Sequence, residues 1–106
     1  MVIIGAGPGG YEAASVAAAG GVEVTVVEET GIGGAAVLTD CVPSKTLIAT
    51  AEVTSTLRRA AELGLRHTET FEVDLDAVNS RVRQLAQAQS DDISRGLERK
   101  GVRLIS

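Results

Sequence analysis

The N-terminal third of the chain alternates between short apolar runs and segments rich in glycine and alanine. The run MVII, which ends at Gly5, is typical of a strand buried on both faces. The alanine-rich stretch that follows favours a helix, and the paired glycines Gly20 and Gly21 should end it. The valine-rich segment VEVTVVEE then indicates a second strand. Together these elements predict a βαβ unit, in which the strands are parallel and the crossover is right-handed.

Apolar spacing after the second strand predicts two long helices. The first is expected to run from Pro43, whose missing N–H is tolerated in a first turn, to about Leu63. Its apolar side is expected to contain Leu47, Ile48, Ala51 and Leu57. The second is expected to run from Asp74, a good N-cap, to about Lys100, just before Gly101. Its apolar positions, interrupted by the polar Gln89, are Leu75, Val78, Val82, Leu85, Ile93 and Leu97.

The remaining segments predict a loop and a third strand. Residues 64–73, GLRHTETFEV, indicate a loop in which His67 is exposed rather than catalytic. Asp74 and Asp76 are interpreted as residues of a helix start rather than as a catalytic carboxylate pair. The segment VRLI after Gly101 indicates the start of a strand. We therefore expect residues 1–106 to form one α/β domain that is the N-terminal part of a longer one.

Composition and charge narrow the functional classes. With 44% hydrophobic residues and a net charge of −4, the chain suits one compact domain. Its basic residues are scattered, which indicates neither a nucleic-acid partner nor a membrane surface. No apolar run approaches the ~20 residues of a membrane span and no basic leader is visible, so a cytoplasmic location is expected. One Cys and one His exclude an internal disulfide and argue against a metal site.

The glycine segment between the first strand and the first helix carries a chemical signal. Residues 5–10, GAGPGG, fit the dinucleotide fingerprint G-x-G-x-x-G in the strand, turn and helix context that it requires. Gly5 permits the tight turn, Gly7 lets the backbone approach a pyrophosphate, and Gly10 lets the helix pack close to the strand. The helix N-terminus at Pro8 then offers N–H groups to phosphates.

Two acidic residues end the second strand. Glu28 lies near the expected spacing of about 20 residues from the fingerprint, where it could accept hydrogen bonds from an adenosine ribose. Glu29 is expected to be a solvated charge, and the ribose contact is its alternative role. A glycine turn without a ligand is the competing interpretation of the whole unit. The fingerprint alone does not distinguish NAD from FAD.

A second motif, GGAAVLTDCVPSK at residues 33–45, narrows the choice of cofactor. With GAGPGG and the acid-ended strand, it resembles the N-terminal FAD-binding segment of the flavoprotein disulfide reductases, the family of lipoamide dehydrogenase and glutathione reductase. That family has two glycines, a threonine or similar residue, a pair of cysteines, an apolar residue and Pro-Ser-Lys. The matching positions are Gly33, Gly34, Cys41, Val42, Pro43, Ser44 and Lys45. The departures are Ala35, Ala36, Leu38 and Asp40.

The resemblance implies a Rossmann-like domain in which FAD is held by the two glycine segments and Glu28, and in which Lys45 reaches the flavin. It also implies that Ala36 replaces the cysteine that exchanges with disulfide substrates, whereas Cys41 keeps the position against the flavin. Because exchange needs a second, resolving thiol, this chain cannot carry it out. The chain is most similar to the NAD(P)H:quinone reductase subgroup that lacks this cysteine, in which reduced flavin passes electrons to a quinone. Ala35, where threonine is common, removes a hydroxyl near the flavin.

Several alternatives stay open. The expected helix start favours a Cys41 thiolate and Asp40 opposes it, so Cys41 is either a structural remnant or an electronic neighbour of the flavin. The expected enzyme is a homodimer whose NAD(P)H-binding domain lies outside this chain. One rival is a lipoamide dehydrogenase-like reductase that uses another thiol. The other rival is a nucleotide-binding module without turnover.

Overall fold

The computed structural model describes residues 1–66 and 71–106, in which three short strands and four α-helices form an α/β fold. In chain order the elements are β1 (Val2–Ile4), α1 (Pro8–Ala19), β2 (Thr25–Val27), α2 (Gly34–Leu38), α3 (Cys41–Arg58), a 3₁₀ turn (Ala60–Leu63), α4 (Leu75–Arg99) and β3 (Arg103–Ile105). The βαβ unit, the two long helices after β2 and the final strand confirm the sequence prediction. His67 lies outside the described residues, so its predicted exposure stays a prediction.

The sheet is parallel, with β2 between β1 and β3. Ile3, Val26 and Leu104 lie side by side across the three strands and face the core. Because the strands run in one direction, the residues that follow each of them meet at the carboxyl edge of the sheet, where α/β proteins bind their ligands. The glycine loop after β1, Glu28 after β2 and Ser106 after β3 therefore share this edge.

The core beneath the sheet is built from small side chains. Its buried residues are Ala6, Ala14, Val24, Val26, Leu97 and Val102. Val24 and Val26 are the largest side chains that are fully buried. Alanine in α1 lets the helix lie close to the strands, which fits the alanine and glycine content of this region.

The expectation that β1 is buried on both faces is wrong. Val2 and Ile4 are 67% and 87% exposed, whereas Ile3 between them is half-buried. Successive side chains of a strand point to opposite faces, and the core cluster lies against the Ile3 face alone. Within residues 1–66 and 71–106, no layer covers the opposite face of β1.

The bounds and the buried side of α3 differ from the prediction. The helix begins at Cys41 rather than Pro43, because the Asp40 carbonyl accepts the Ser44 N–H at 2.9 Å and opens the first turn. It ends at Arg58, ahead of the 3₁₀ turn. Thr46 is its buried residue. The four apolar residues predicted for one side of this helix are exposed: Leu47, Ile48, Ala51 and Leu57.

The start of α4 confirms the predicted cap. The Asp74 carboxylate accepts the Ala77 N–H at 2.9 Å, which satisfies one of the unpaired donors of the first turn. Asp76 lies in that turn, so both acidic residues belong to a helix start, as predicted.

The prediction for α4 is confirmed at Leu97, which is buried, and at Val78, Val82 and Ile93, which are half-buried, but the stripe is shifted by one position in the middle of the helix. Its buried residues are Ala86, Ser90 and Leu97, so Ser90 continues the stripe where Gln89 was expected to interrupt it. Leu75 and Leu85, which were assigned to the apolar stripe, are 67% and 41% exposed.

Together α3 and the first half of α4 form an elongated helical arm. The described residues extend over 60 × 24 × 18 Å with a radius of gyration of 19.2 Å, against about 13 Å for a compact chain of this length. The two helices run side by side in opposite directions and leave an open groove of about 370 Å³ between Thr54 and Val78. Several large apolar side chains of the arm are exposed, including Val53 at 61%.

Candidate functional site

The fingerprint loop turns sharply and brings α1 against β1. Gly5 has φ +93°, a conformation that side chains disfavour, and its N–H donates to the Val27 carbonyl at 2.8 Å. A Cβ on Gly10 would lie 1.9 Å from the Gly5 carbonyl oxygen. The predicted roles of these two glycines in the turn and in close helix packing are therefore confirmed by the geometry.

The space above the loop is open at the position predicted for phosphate. A Cβ on Gly7 would meet no atom within 4 Å. Pro8 is the first residue of α1, and the N–H groups of Gly9 and Gly10 make no hydrogen bond with the described residues. These donors at a helix N-terminus suit an anion, although phosphate contacts by Gly5, Gly7, Pro8 and Gly10 stay a prediction.

The second glycine motif packs directly onto the first. The Gly33 N–H donates to the Ala6 carbonyl at 2.8 Å, and a Cβ on Gly34 would lie 3.0 Å from Cα of Gly7. Gly33 and Gly34 have φ values of +100° and +59°, so both are in the left-handed region that glycine tolerates. Ala35, the next residue, is exposed on α2. The two motifs that were separate in the sequence thus form one site.

Glu28, which follows β2, is the third segment of the site, beside the two glycine motifs. Its Oε2 accepts the Ala6 N–H at 2.7 Å, and its Oε1 accepts the N–H and the hydroxyl of Thr30 at 2.8 and 2.7 Å. The Gly31 N–H also approaches Oε1, at 3.4 Å. The Ala6 hydrogen bond is the largest cause that lowers the pKa of Glu28 to about 2, and the Thr30 bonds act in the same direction. The carboxylate is therefore ionised at neutral pH and fixed in orientation.

One acceptor position on Glu28 remains open. A carboxylate oxygen offers about two lone pairs, and Oε2 accepts only the Ala6 N–H among the described hydrogen bonds. An open groove of about 340 Å³ begins at this residue and continues past Glu29 and Thr30 to Leu104 and Ser106. Glu29 is exposed, in agreement with its interpretation as a solvated charge.

Cys41 and Lys45 lie farther along the chain, on α3. Cys41 is the first residue of the helix and its thiol is free and exposed. Lys45 is exposed in the second turn of this helix. Neither side chain forms a hydrogen bond with the glycine motifs or Glu28 in the described residues. Ala36 is half-buried on the short α2 that precedes Cys41.

Two residues of the site were not predicted. Thr30 supplies two of the hydrogen bonds to Glu28, and its position two residues after an acid is a local signal for such a bond. Ser90 donates from α4 to the Ile32 carbonyl at 2.5 Å. The signal for Ser90 is a serine that stands in register with Ala86 and Leu97 on the buried face of a helix.

Residues 1–66 and 71–106 contain no group of three or more His, Cys, Asp or Glu side chains placed to hold a metal ion. None of the described helices has the length and hydropathy needed to cross a membrane.

Comparison with known families decides the assignment. The sequence profile described as "Pyridine nucleotide-disulphide oxidoreductase" matches residues 1–104. The chain belongs to this family. The resemblance stated on the two motifs is thereby confirmed, and residues 1–106 represent its Rossmann-like N-terminal region.

Relatives within the family differ in their named reactions. The chain is 49% identical over 110 residues to an "NAD(P)H dehydrogenase (quinone)" of Mycobacterium tuberculosis, an alignment that covers 100% of this chain and 22% of that protein. It is 38% identical over 93 residues to a "Dihydrolipoyl dehydrogenase" of Chlamydia muridarum, with coverage of 88% and 20%. The chain therefore spans about a fifth of the length of the relatives it matches.

A solved structure shares the fold. The crystal structure of LpdA from Mycobacterium tuberculosis superposes with a TM-score of 0.90 at 48% identity, over 99% of this chain and 23% of that one. The parallel sheet and its helices therefore have the arrangement found in that structure.

Proposed function

We propose that the two glycine motifs and Glu28 bind FAD, and that the intact protein is an NAD(P)H-dependent flavoprotein oxidoreductase that reduces a quinone or a similar small acceptor. The observation that carries the proposal is the meeting of the fingerprint, Glu28 and the Gly33–Gly34 pair at one corner of the sheet. We call these three segments the nucleotide corner.

The residues present fit the cofactor. The open side of Gly7 and the N–H groups of Gly9 and Gly10 would bind the pyrophosphate. Oε2 of Glu28 would accept a ribose hydroxyl on its open lone pair. Lys45 and Cys41 would lie near the flavin ring, as the family resemblance implies. When bound, FAD would supply electron transfer between a nicotinamide donor and the acceptor.

The proposed electron acceptor follows from the number of thiols in the motif at residues 33–45. Cys41 is the one cysteine of the chain, and Ala36 occupies the position of its partner in the family motif. A single thiol cannot attack a disulfide and then resolve the mixed product. The relative named for a quinone is 49% identical, which favours direct reduction of a small acceptor. We include in the proposal a cytoplasmic homodimer whose NAD(P)H-binding residues lie outside this chain.

A second candidate is a reductase of lipoamide that uses another thiol. The identity of 38% to a protein named dihydrolipoyl dehydrogenase favours it. Against it stands the alanine at position 36.

The released cofactor tests the first part of the proposal. The intact protein is denatured and its ligand is analysed by chromatography. We expect FAD, and Gly7→Ala should reduce the FAD retained without lowering the stability of the apoprotein, since its Cβ enters open space. Recovery of a nicotinamide nucleotide alone would overturn the assignment.

Restoring the missing thiol tests the second part. We expect the variant Ala36→Cys with Asp40→Gly to lose two free thiols on oxidation and to regain them when NAD(P)H is added. Asp40→Gly is included because Asp40, directly before Cys41, is one of the departures from the family motif. Quinone reduction should persist in the parent and in this variant. If Cys41→Ser abolished quinone reduction while FAD was retained, the single thiol would be an obligatory carrier and direct transfer would be wrong.

A further inference from the structure

Ser90 donates its hydroxyl to a distant segment, unlike the threonines of α3 and the next serine along α4. Thr46, Thr50, Thr54 and Ser94 each donate to the carbonyl four residues earlier in their own helix. This is the usual local bond of a hydroxyl within a helix. Ser90, which is 5% exposed, donates instead to the Ile32 carbonyl, which lies 58 residues away in sequence.

Ile32 lies between the two anchors of the nucleotide corner. On one side of it, the Gly31 N–H approaches Glu28 Oε1 at 3.4 Å. On the other side, the Gly33 N–H donates to the Ala6 carbonyl at 2.8 Å. A shift of the Ile32 carbonyl would move both neighbours, because planar peptide units link the three residues.

The same segment determines how closely the two glycine motifs pack. Gly34 lies against the Gly7 backbone with so little space that a Cβ would be 3.0 Å from its Cα. Gly7 is the residue at which the backbone is open to a phosphate. The position of the Gly31–Gly34 segment therefore affects the shape of the corner although Ser90 itself lies on α4.

We propose that Ser90 is a positioning residue for the nucleotide. It holds the Ile32 carbonyl so that the Gly33–Gly34 pair stays against the fingerprint and the corner keeps the shape that FAD requires. The inference rests on the proposed function, because it assumes that the nucleotide corner binds FAD. Its effect is on the affinity for FAD, beyond any contribution of Ser90 to the stability of α4.

The experiment compares Ser90→Ala with Ser94→Ala in the intact protein. Ser94 is the matched control, since it lies one turn along the same helix and its hydroxyl donates to the Ser90 carbonyl within that helix. FAD dissociation constants are measured by titration of the apoprotein, and urea unfolding of each apoprotein is measured in parallel. Ser90→Thr, which retains the hydroxyl, serves as the rescue variant.

We expect Ser90→Ala to weaken FAD binding by about tenfold, the ratio that corresponds to one lost hydrogen bond. Ser94→Ala should stay within about twofold of the parent. Ser90→Thr should bind FAD more tightly than Ser90→Ala. If Ser90→Ala yields too little folded protein, Ser90→Cys replaces it, because a thiol has a similar shape and is a weaker donor. We expect Ser90→Cys to bind FAD more weakly than the parent and Ser94→Ala, by less than about tenfold.

The outcomes separate the two claims. If the parent binds FAD and Ser90→Ala or Ser90→Cys has parental affinity, the role of Ser90 is structural only and the inference is overturned. An equal loss in Ser94→Ala would overturn it too, because it would show a general effect of α4. A parent that binds no FAD would overturn the proposed function and the inference together.

Discussion

The nucleotide corner and the helical arm are stabilised in different ways. In the corner, hydrogen bonds join segments distant in sequence, such as Glu28 to Ala6 and Ser90 to Ile32. Along α3 in the arm, threonine hydroxyls bond within their own helix, and large apolar side chains such as Ile48 are exposed. The corner is defined by backbone geometry that leaves no space for an added atom at Gly10, whereas α3 and α4 of the arm are separated by a groove with apolar side chains such as Leu47 and Val78 along it. The difference shows where a single substitution should matter most.

The largest effect is expected at Gly10. Gly10→Ala would place a Cβ 1.9 Å from the Gly5 carbonyl oxygen, and backbone on both sides leaves little room to adjust. We expect a loss of about 3 kcal/mol in the free energy of unfolding, together with loss of FAD. Gly9→Ala is the control, because its Cβ would meet nothing within 4 Å. Urea unfolding of both variants in the intact protein checks this, and equal stability of the two would contradict the close packing of α1.

A smaller effect is expected at Glu28. Glu28→Gln replaces one carboxylate oxygen by an NH₂ group, a donor that would face other N–H groups. It also removes the negative charge that strengthens the hydrogen bonds to the remaining oxygen. The expected loss is about 1.5–3 kcal/mol in the free energy of unfolding, with weaker FAD retention. The exposed neighbour offers a matched variant, Glu29→Gln, for which a change within about 0.5 kcal/mol is expected. If Glu29→Gln weakened FAD retention more than Glu28→Gln did, the ribose contact would be at Glu29.

The contribution of Glu28 should depend on pH in a defined direction. Its pKa is about 2 in the folded protein and 4.5 without the native contacts, so folding favours the ionised form. The stabilisation is fully present above the higher value and is lost as the pH falls towards 2. Unfolding of the parent and of Glu28→Gln is compared over this range. Their difference should shrink with falling pH, and a constant difference would show that the charge does not matter.

The smallest effect is expected in the arm. Thr46→Val keeps the shape of a buried side chain and removes a hydroxyl that bonds only to the Val42 carbonyl of its own helix. We expect a change within about 0.5 kcal/mol in the free energy of unfolding. Urea unfolding measures it. A loss above about 1.5 kcal/mol would mean that hydroxyls of the arm contribute as much as those of the corner.

Sequence patterns predicted the features that depend on neighbouring residues. Gly20 lies at the end of α1, and Asp74 caps α4, because both signals act within one turn of the helix. The roles of Gly5 and Gly10 also follow from a motif whose spacing fixes the turn. The fold and the family could therefore be predicted, and both were confirmed.

Features that depend on distant contacts were missed. The strand predicted over VEVTVVEE is limited to Thr25–Val27, because the register with its two neighbours extends over three residues. The short α2 was not predicted, since its start depends on the contact of Gly34 with the first motif. Burial of Thr46 and Ser90 depends on which side of each helix meets the rest of the fold, which apolar spacing alone placed on other residues.

The most direct test of the central claim is a comparison of acceptors. The intact protein, with its FAD content measured, is supplied with NAD(P)H and either a quinone or oxidised lipoamide, and NAD(P)H oxidation is followed. The account predicts turnover with the quinone and none with lipoamide, because Ala36 leaves Cys41 without the partner that exchange requires. Reduction of lipoamide at a rate comparable to that of the quinone would contradict it.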